Sequence, residues 1–156
     1  MNKAFTLIEL LIVILIIGIF AVLGFSSYMN SIKSGKDARR KTDLASIQKA
    51  LETYYQDNNA YPVPIGTAVP NTGGAFCHPL GCATVTYLQT LPNDQGGTPY
   101  YYVSTGPSYQ SYQLYSCIEN TNDSGPGVKQ SGYGISCGAG RCNPCRFGIS
   151  STNTTP

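Results

Sequence analysis

The stretch that decides the fold is residues 5–25, which read FTLIELLIVILIIGIFAVLGF. At a rise of about 1.5 Å per residue, these residues form a helix roughly 30 Å long, enough to cross the hydrocarbon core of a membrane. The run is apolar on all sides, so lipid or protein rather than water must surround it. Its only charged residue is Glu9. Because an ionised side chain in such a segment is costly, Glu9 indicates a function or a partner.

The start of this stretch, Ala4-Phe5-Thr6-Leu7-Ile8-Glu9, resembles the processing signal of type IV pilins and type II secretion pseudopilins. The resemblance implies that a prepilin peptidase cuts between Ala4 and Phe5 and methylates the new amine of Phe5. It also implies that Phe5 and Glu9 are the assembly residues, the amine of one subunit pairing with the Glu9 of a neighbour. In that family Gly is more common at the position of Ala4.

Two simpler interpretations explain the apolar run less well. An ordinary secretory signal has about 7–15 apolar residues followed by a small-x-small cleavage site, whereas this run is longer and contains Glu9. A plain membrane anchor explains the length but not the Phe-Thr-Leu-Ile-Glu spacing. An exported, membrane-anchored binding module that does not polymerise is therefore the alternative class.

The helix is predicted to continue beyond the apolar run as an amphipathic helix. Leu44, Ile47, Leu51 and Tyr54 recur at spacings of three and four, which places them on one helical face. Asn and Pro residues predict an end near residue 58. The domain plan is then a leader (1–4), a membrane or filament-core half-helix (5–29), an amphipathic half-helix (30–58), a globular head (59–150) and a disordered tail (151–156).

A second resemblance covers residues 42–62, TDLASIQKALETYYQDNNAYP, which are similar to the second half of the long helix in the major pseudopilin of type II secretion. Residues 91–94 and 99–102 match another segment of that family more loosely. The implied fold is α+β and pilin-like, with one long N-terminal helix packed on a small antiparallel β-sheet and disulfides in the loops.

The head composition, with 12 Tyr, 17 Gly and 10 Pro in the chain, is typical of a β-rich domain with many loops. Alternation and Tyr content predict four strands, and the region before them is expected to be an irregular loop followed by a helical turn. The strands are Tyr100–Ser104, Tyr109–Ile118, Tyr133–Cys137 and Phe147–Ser150, the loop is Pro62–Thr86 and the turn is Tyr87–Leu91.

Six cysteines follow the apolar run, an even number that indicates disulfides in an exported segment. Cys77 is expected to pair with Cys82 by proximity. The other four are assigned to disulfides only as a set: Cys117, Cys137, Cys142 and Cys145. Two alternatives are a zinc site, which lacks a fourth ligand, and a redox Cys-x-x-Cys, which lacks its strand–helix context.

No catalytic constellation stands out, so the protein is expected not to be an enzyme and to need no cofactor. A calcium site needs six to eight oxygen ligands, but the head offers only Asp94, Glu119 and Asp123 as acids. We therefore expect no metal, with the disulfides holding the loops in place.

The charged residues are few, 12% of the chain with a net charge of +2, and half of the positive ones form a basic collar after the apolar run. The collar consists of Lys33, Lys36, Arg39, Arg40 and Lys41, and this stretch of sequence contains one acid, Asp37. We expect a solvated helix face or contact with anionic lipid headgroups, with DNA binding, aided by stacking on exposed Tyr, as the alternative. One positive charge precedes the span and five follow it, which conflicts with the positive-inside rule.

The expected partners are copies of the chain itself, related minor subunits, prepilin peptidase, an inner-membrane assembly platform and membrane lipid. The expected location is a single pass through the inner or plasma membrane with an extracytoplasmic head, and an extracytoplasmic filament after assembly. The sequence is compatible with both a secretion pseudopilus and a true pilus.

Overall fold

The computed structural model describes residues 5–71, 73–95, 98–137 and 142–156. Its dominant element is one helix, α1, spanning Leu7–Asn58. Thr6 caps its start, and Asn59 ends it in a left-handed conformation with φ of 53°, donating its backbone N–H to the Tyr55 carbonyl at 2.8 Å. Asn tolerates this conformation better than most residues. The prediction of a single long helix is confirmed.

The N-terminal half of α1 is apolar and exposed. Leu7, for example, is 81% exposed and Phe20 is 69% exposed. Within the described residues, α1 is the one helix long and apolar enough to span a membrane. Because so much apolar surface is unfavourable in water, this half of the helix requires lipid or other protein around it.

The C-terminal half of α1 packs on the head through the predicted stripe. Leu44, Ile47 and Leu51 are buried in the core, and Tyr54 packs against it. Burying each aliphatic side chain stabilises the fold by about 1.5–3 kcal/mol. This stripe therefore joins the helix to the sheet.

The head contains two antiparallel sheets. β1 (Phe76–Cys77) pairs with β2 (Thr86–Leu88). The second sheet has the order β3-β4-β5, formed by β3 (Tyr101–Thr105), β4 (Ser111–Ser116) and β5 (Phe147–Ser150). The α+β fold is confirmed, and three of the four predicted strands are present, β5 with the predicted bounds and β3 and β4 with ends shifted by one or two residues.

The central strand β4 follows the predicted alternation. Tyr112 and Leu114 lie in the core beneath α1. Tyr115 is on the opposite face, where its ring packs against those of Tyr101 and Tyr133 at centroid distances of 6.1 and 5.2 Å. β4 is therefore buried on both faces, which fixes its register.

Two predicted elements of the head are wrong. Tyr133–Cys137 is not a strand, because Gly134 has a φ of 72° and the backbone pairs irregularly with the loop around Cys145. The predicted helical turn Tyr87–Leu91 overlaps β2 instead, because the Cys77–Cys82 bridge closes a hairpin that pairs β2 with β1. As a result, the predicted irregular loop Pro62–Thr86 also contains a strand.

The C-terminal residues, expected to be a disordered tail, fold back on the sheet in the structure. Ser151 is buried, the Ser150 hydroxyl donates to the Thr154 carbonyl at 2.7 Å, and the Gln113 side-chain amide donates to the Thr155 carbonyl at 2.6 Å. These hydrogen bonds pair the Thr154 and Thr155 carbonyls within the protein. The polar composition of the segment had instead predicted that it would be solvated and disordered.

Candidate assembly site

The start of α1 contains a reciprocal cap formed by Thr6 and Glu9. The Glu9 carboxylate, through Oε2, accepts from the Thr6 backbone N–H at 2.9 Å and from the Thr6 hydroxyl at 2.8 Å. In return, the Thr6 Oγ1 accepts from the Glu9 backbone N–H at 3.4 Å. This capping box satisfies backbone donors that the first turn leaves unpaired.

The cap leaves part of the Glu9 carboxylate available. Both hydrogen bonds use Oε2, and Oε1 accepts none from the residues that the structure describes. The neighbouring Phe5 is 80% exposed, whereas Ala4, on the other side of the expected cut, lies outside the described residues. The carboxylate is thus held in one orientation with an oxygen that a cation can approach.

This cap was not predicted from the sequence, although Thr6-x-x-Glu9 before an apolar run is a capping-box pattern. The spacing of Thr6 and Glu9 was enough to predict the capping box. The cap gives Glu9 a local structural role in addition to any role in assembly.

A second polar centre, at the junction of helix and head, surrounds Arg40. This side chain is 1% exposed, and its guanidinium donates to three carboxylates at 2.8 Å each. They are Asp94 through Nε, Asp37 through Nη1 and Glu119 through Nη2. The three acids come from three different segments, so the cluster fixes α1 against two loops of the head.

The charges in this cluster stabilise the cationic form of Arg40. Burial lowers the pKa of the guanidinium, but hydrogen bonds to Asp94, Glu119 and Asp37 outweigh burial and leave the pKa above its ordinary value. Asp37 is itself buried and accepts from the backbone N–H of Asn120 at 2.8 Å. Each charged group in the cluster therefore has a hydrogen-bond partner, with one cation shared by three carboxylates.

Lys41 forms the next ion pair along the helix. Its Nζ lies 2.6 Å from Asp123 Oδ2. The hydrogen bond from Lys41, together with that from the Gly125 backbone, lowers the pKa of Asp123. This pair attaches α1 to the loop that follows Glu119.

These ion pairs correct the interpretation of the basic collar as one solvated face. Arg40 is buried and Lys41 is paired with the head, so only Lys33, Lys36 and Arg39 remain as an exposed or half-buried basic surface. The i,i+3 spacing of Asp37 and Arg40 on a helix could have predicted the ion pair between them. The acids of the head that also contact Arg40 are distant from it in sequence. Only tertiary structure brings them to Arg40.

The three acids of the head that were considered as calcium ligands take part in these ion pairs. Asp94 and Glu119 bind Arg40, and Asp123 binds Lys41. Among the residues that the structure describes, no group of three or more His, Cys, Asp or Glu is arranged to hold a metal ion. Each of these three carboxylates is hydrogen-bonded to one of the two helix cations.

All six cysteines are paired in the structure. Cys77 joins Cys82, as expected from proximity, and the set of four divides into Cys117–Cys142 and Cys137–Cys145. The zinc alternative is wrong because no cysteine is free. The redox alternative also fails, because Cys142 and Cys145 bond to different partners rather than to each other.

An exposed apolar half-helix with a polar cap, continuing without a break onto a small disulfide-linked sheet, defines a pilin-like subunit. Comparison with known families gives the same class in more detail. The model described as type II secretion system (T2SS), protein G, matches residues 27–131, and the prokaryotic N-terminal methylation motif matches residues 1–25. The chain belongs to the type II secretion system protein G family, whose members are pseudopilins, and is a membrane-anchored, exported subunit.

Individual relatives agree with this assignment. The type II secretion system core protein G of Aeromonas hydrophila is 33% identical over 107 residues, covering 67% of this chain and 75% of that protein. The protein of the same name from Pseudomonas aeruginosa is 34% identical over 118 residues, covering 74% and 82%. The type IV major pilin protein PilA of Myxococcus xanthus is 33% identical over 105 residues, covering 63% and 47%. No solved structure gives a significant match.

Proposed function

We propose that this chain is a structural subunit of a type II secretion pseudopilus, assembled by stacking of the apolar half-helices. The observation that carries the proposal is the exposed apolar half of α1 in a chain of the protein G family. A stack of such helices buries this surface, and burial of apolar area is the main favourable term in association. The work is mechanical, and we expect no catalysis by this chain.

Processing precedes assembly in this proposal. Prepilin peptidase cuts between Ala4 and Phe5 and methylates the new amine, which the match to the methylation motif supports. The leader faces the cytoplasm and the head faces the extracytoplasmic side. Three disulfides support that orientation, because disulfides persist in oxidising compartments.

Glu9 then pairs with the Phe5 amine of a neighbouring subunit. An ionised residue at the centre of a membrane segment costs about 2.5–3.5 kcal/mol on insertion scales. Glu9 lies nearer the membrane edge, where its cost is smaller, but a packed filament core offers it no water. A carboxylate near a helix N-terminus gains only about 0.3–1 kcal/mol, so Glu9 needs a partner in the filament. The cap holds Oε2 and leaves Oε1 for the incoming amine. The pair neutralises both charges and sets the axial register of the stack.

The remaining partners are related minor subunits and an inner-membrane assembly platform. A true type IV pilus is the second candidate filament, favoured by the identity to the PilA pilin of Myxococcus xanthus. Nucleic acid is not the expected partner, because Arg39, Arg40 and Lys41 form ion pairs within the molecule, so that Lys33 and Lys36 are the collar cations without one among the described residues.

The substitution Glu9→Gln tests the assembly role of the charge separately from the cap. Gln at this position still forms a capping box, so the helix start is retained while the charge is lost. We expect insertion and cleavage to be normal, with filament yield lost in Glu9→Gln and Glu9→Leu and partly retained in Glu9→Asp. The measurements are filament yield from cells and the mass of the mature N-terminus, which reports the cut before Phe5.

The matched control is Thr6→Val, which removes the hydroxyl of the cap and keeps the charge. It is expected to assemble in reduced but measurable amounts. Normal filament yield from Glu9→Gln would show that Glu9 acts only as a cap. An N-terminus that begins at Met1 in assembled subunits would exclude processing as proposed.

A further inference from the structure

A polar cleft lies at the end of the head nearest the apolar half-helix. Its volume is about 340 Å³, and it is lined by Lys33, Ile118, Glu119, Cys142, Asn143 and Arg146. α1 supplies one wall, and the chain after β4 and the segment before β5 supply the others. The Cys117–Cys142 disulfide joins these last two segments, so the cleft has fixed walls.

The cleft carries an excess of positive charge. Neither Lys33 nor Arg146 forms an ion pair with any residue in the described ranges. Among the described lining residues the acid is Glu119, whose carboxylate accepts a hydrogen bond from the Arg40 guanidinium at 2.8 Å, so the two cations of the lining outnumber its acid. Arg146 is held in place by its backbone, whose N–H donates to the Ser116 carbonyl at 3.2 Å.

The position of the cleft along α1 corresponds to the surface of a membrane. Lys33 is the first charged residue after Glu9. Five residues before it, Tyr28 is 63% exposed, and Tyr is enriched at membrane–water interfaces. The head reaches this level of the helix, because the Asn120 side-chain amide donates to the Ser34 hydroxyl at 3.2 Å.

We propose that this cleft binds the phosphate headgroup of one anionic phospholipid while the subunit resides in the membrane. A Lys and an Arg on different walls provide hydrogen-bond donors for phosphate oxygens, and the Arg can donate two parallel hydrogen bonds. The volume suits a headgroup, at the low end of about 300–1,000 Å³ for ligand sites. The acyl chains then lie along the exposed apolar surface that precedes Lys33.

This site goes beyond the proposed function, since lipid binding by a single subunit does not depend on filament formation. Its consequence is a fixed depth of the subunit in the membrane before assembly. Lipid binding in the cleft differs from general electrostatic attraction to a charged membrane because it requires two particular cations, Lys33 and Arg146. Other cations at a similar depth contribute less.

The test compares Lys33→Gln and Arg146→Gln with Lys36→Gln in the full-length protein in neutral detergent. Lys36 lies one turn further along α1 and is not part of the cleft lining, so it is the control of equal charge. Native mass spectrometry measures the binding of short-chain phosphatidylglycerol and of phosphatidylcholine. We expect one bound phosphatidylglycerol per chain, about fivefold weaker in each cleft variant, at least tenfold weaker in the double variant, and unchanged in Lys36→Gln.

A second experiment distinguishes a lipid headgroup from free phosphate as the source of the bound phosphate group. Binding of inorganic phosphate alone to the protein is measured by phosphorus NMR. The lipid is expected to displace phosphate from the cleft. Equal losses in Lys36→Gln and the cleft variants would overturn the proposal in favour of diffuse attraction, and phosphate binding that lipid does not displace would leave a free-anion site. Normal lipid binding with reduced filament yield in the cleft variants would assign the cations to a neighbouring subunit instead.

Discussion

At the scale of single residues, Arg40 connects the helix to two loops of the head. It is a fully buried cation whose nitrogen atoms reach three carboxylates at 2.8 Å. Removing one partner of such a cluster is strongly destabilising, because the other charges stay buried without compensation. The role of Arg40 is therefore to fix one arrangement of α1 against the head loops.

The substitution Arg40→Met tests that role. It removes the cation and leaves Asp37, Asp94 and Glu119 facing one another, so we expect the free energy of unfolding to fall by about 3–5 kcal/mol. The measurement is urea denaturation of the full chain in detergent, followed by near-ultraviolet circular dichroism of the head. The control is Arg39→Met, since Arg39 is 67% exposed and is expected to change stability by no more than about 0.5 kcal/mol. Similar losses in both variants would contradict the prediction.

At the scale of elements, the disulfides stabilise segments that have little regular structure. Cys117–Cys142 spans 25 residues and connects the end of β4 to the segment before β5, whereas Cys77–Cys82 spans 5 residues within one hairpin. The family model ends at residue 131, so three of the cysteines lie beyond it. Those bridges hold a C-terminal region that extends past the matched part of the chain.

We expect the longer bridge to contribute more to stability. In the loop-entropy description, a 25-residue loop corresponds to about 3.5 kcal/mol and a 5-residue loop to about 2 kcal/mol. Replacing Cys117 and Cys142 by Ala should therefore lower the denaturation midpoint more than replacing Cys77 and Cys82. Alkylation of the wild-type protein without reductant, followed by intact mass, should show no modified thiol. Four free thiols, or a larger loss from the short loop, would refute this assignment.

At the scale of the whole molecule, the core is rich in tyrosine hydroxyls that donate to acceptors on α1 and the loops. Tyr100 donates to Asp43 at 2.7 Å, Tyr112 to Glu52 at 3.0 Å and Tyr102 to the Pro62 carbonyl at 2.8 Å. The pKa of each of these three tyrosines lies above the ordinary value of 10.0, and burial is the main cause. The folded state therefore requires them to be neutral.

This requirement predicts the alkaline limit of stability. A tyrosine whose pKa is raised by folding contributes stability that is complete below pH 10 and is lost as the pH rises above it. We expect the thermal midpoint to fall steeply above pH 10, with the phenolate absorbance of the buried tyrosines appearing only as the head unfolds. In Tyr112→Phe, which has one fewer such group, the fall should be shallower. Ionisation of all tyrosines while the circular dichroism of the head stays native would contradict this.

Much of the fold was predictable because its patterns are local. The apolar run, the stripe of Leu44, Ile47 and Leu51, and the Asn residues at the end of α1 each depend on neighbours a few positions away. The strands β3, β4 and β5 were also recognisable from alternation and Tyr content. The Thr6–Glu9 cap was equally local, and its spacing contained the necessary signal.

By itself, therefore, the sequence determined a single long helix, its apolar and amphipathic halves, the presence of Glu9 near its start and the disulfide character of the cysteines. The tertiary structure decided which cysteines of the last four pair, that β2 replaces a helical turn, and that Arg40 is buried rather than solvated. The physical reason is distance along the chain. Arg40 meets Asp94 and Glu119 across separations of 54 and 79 residues, and such contacts depend on how the helix and loops pack, which no local periodicity encodes.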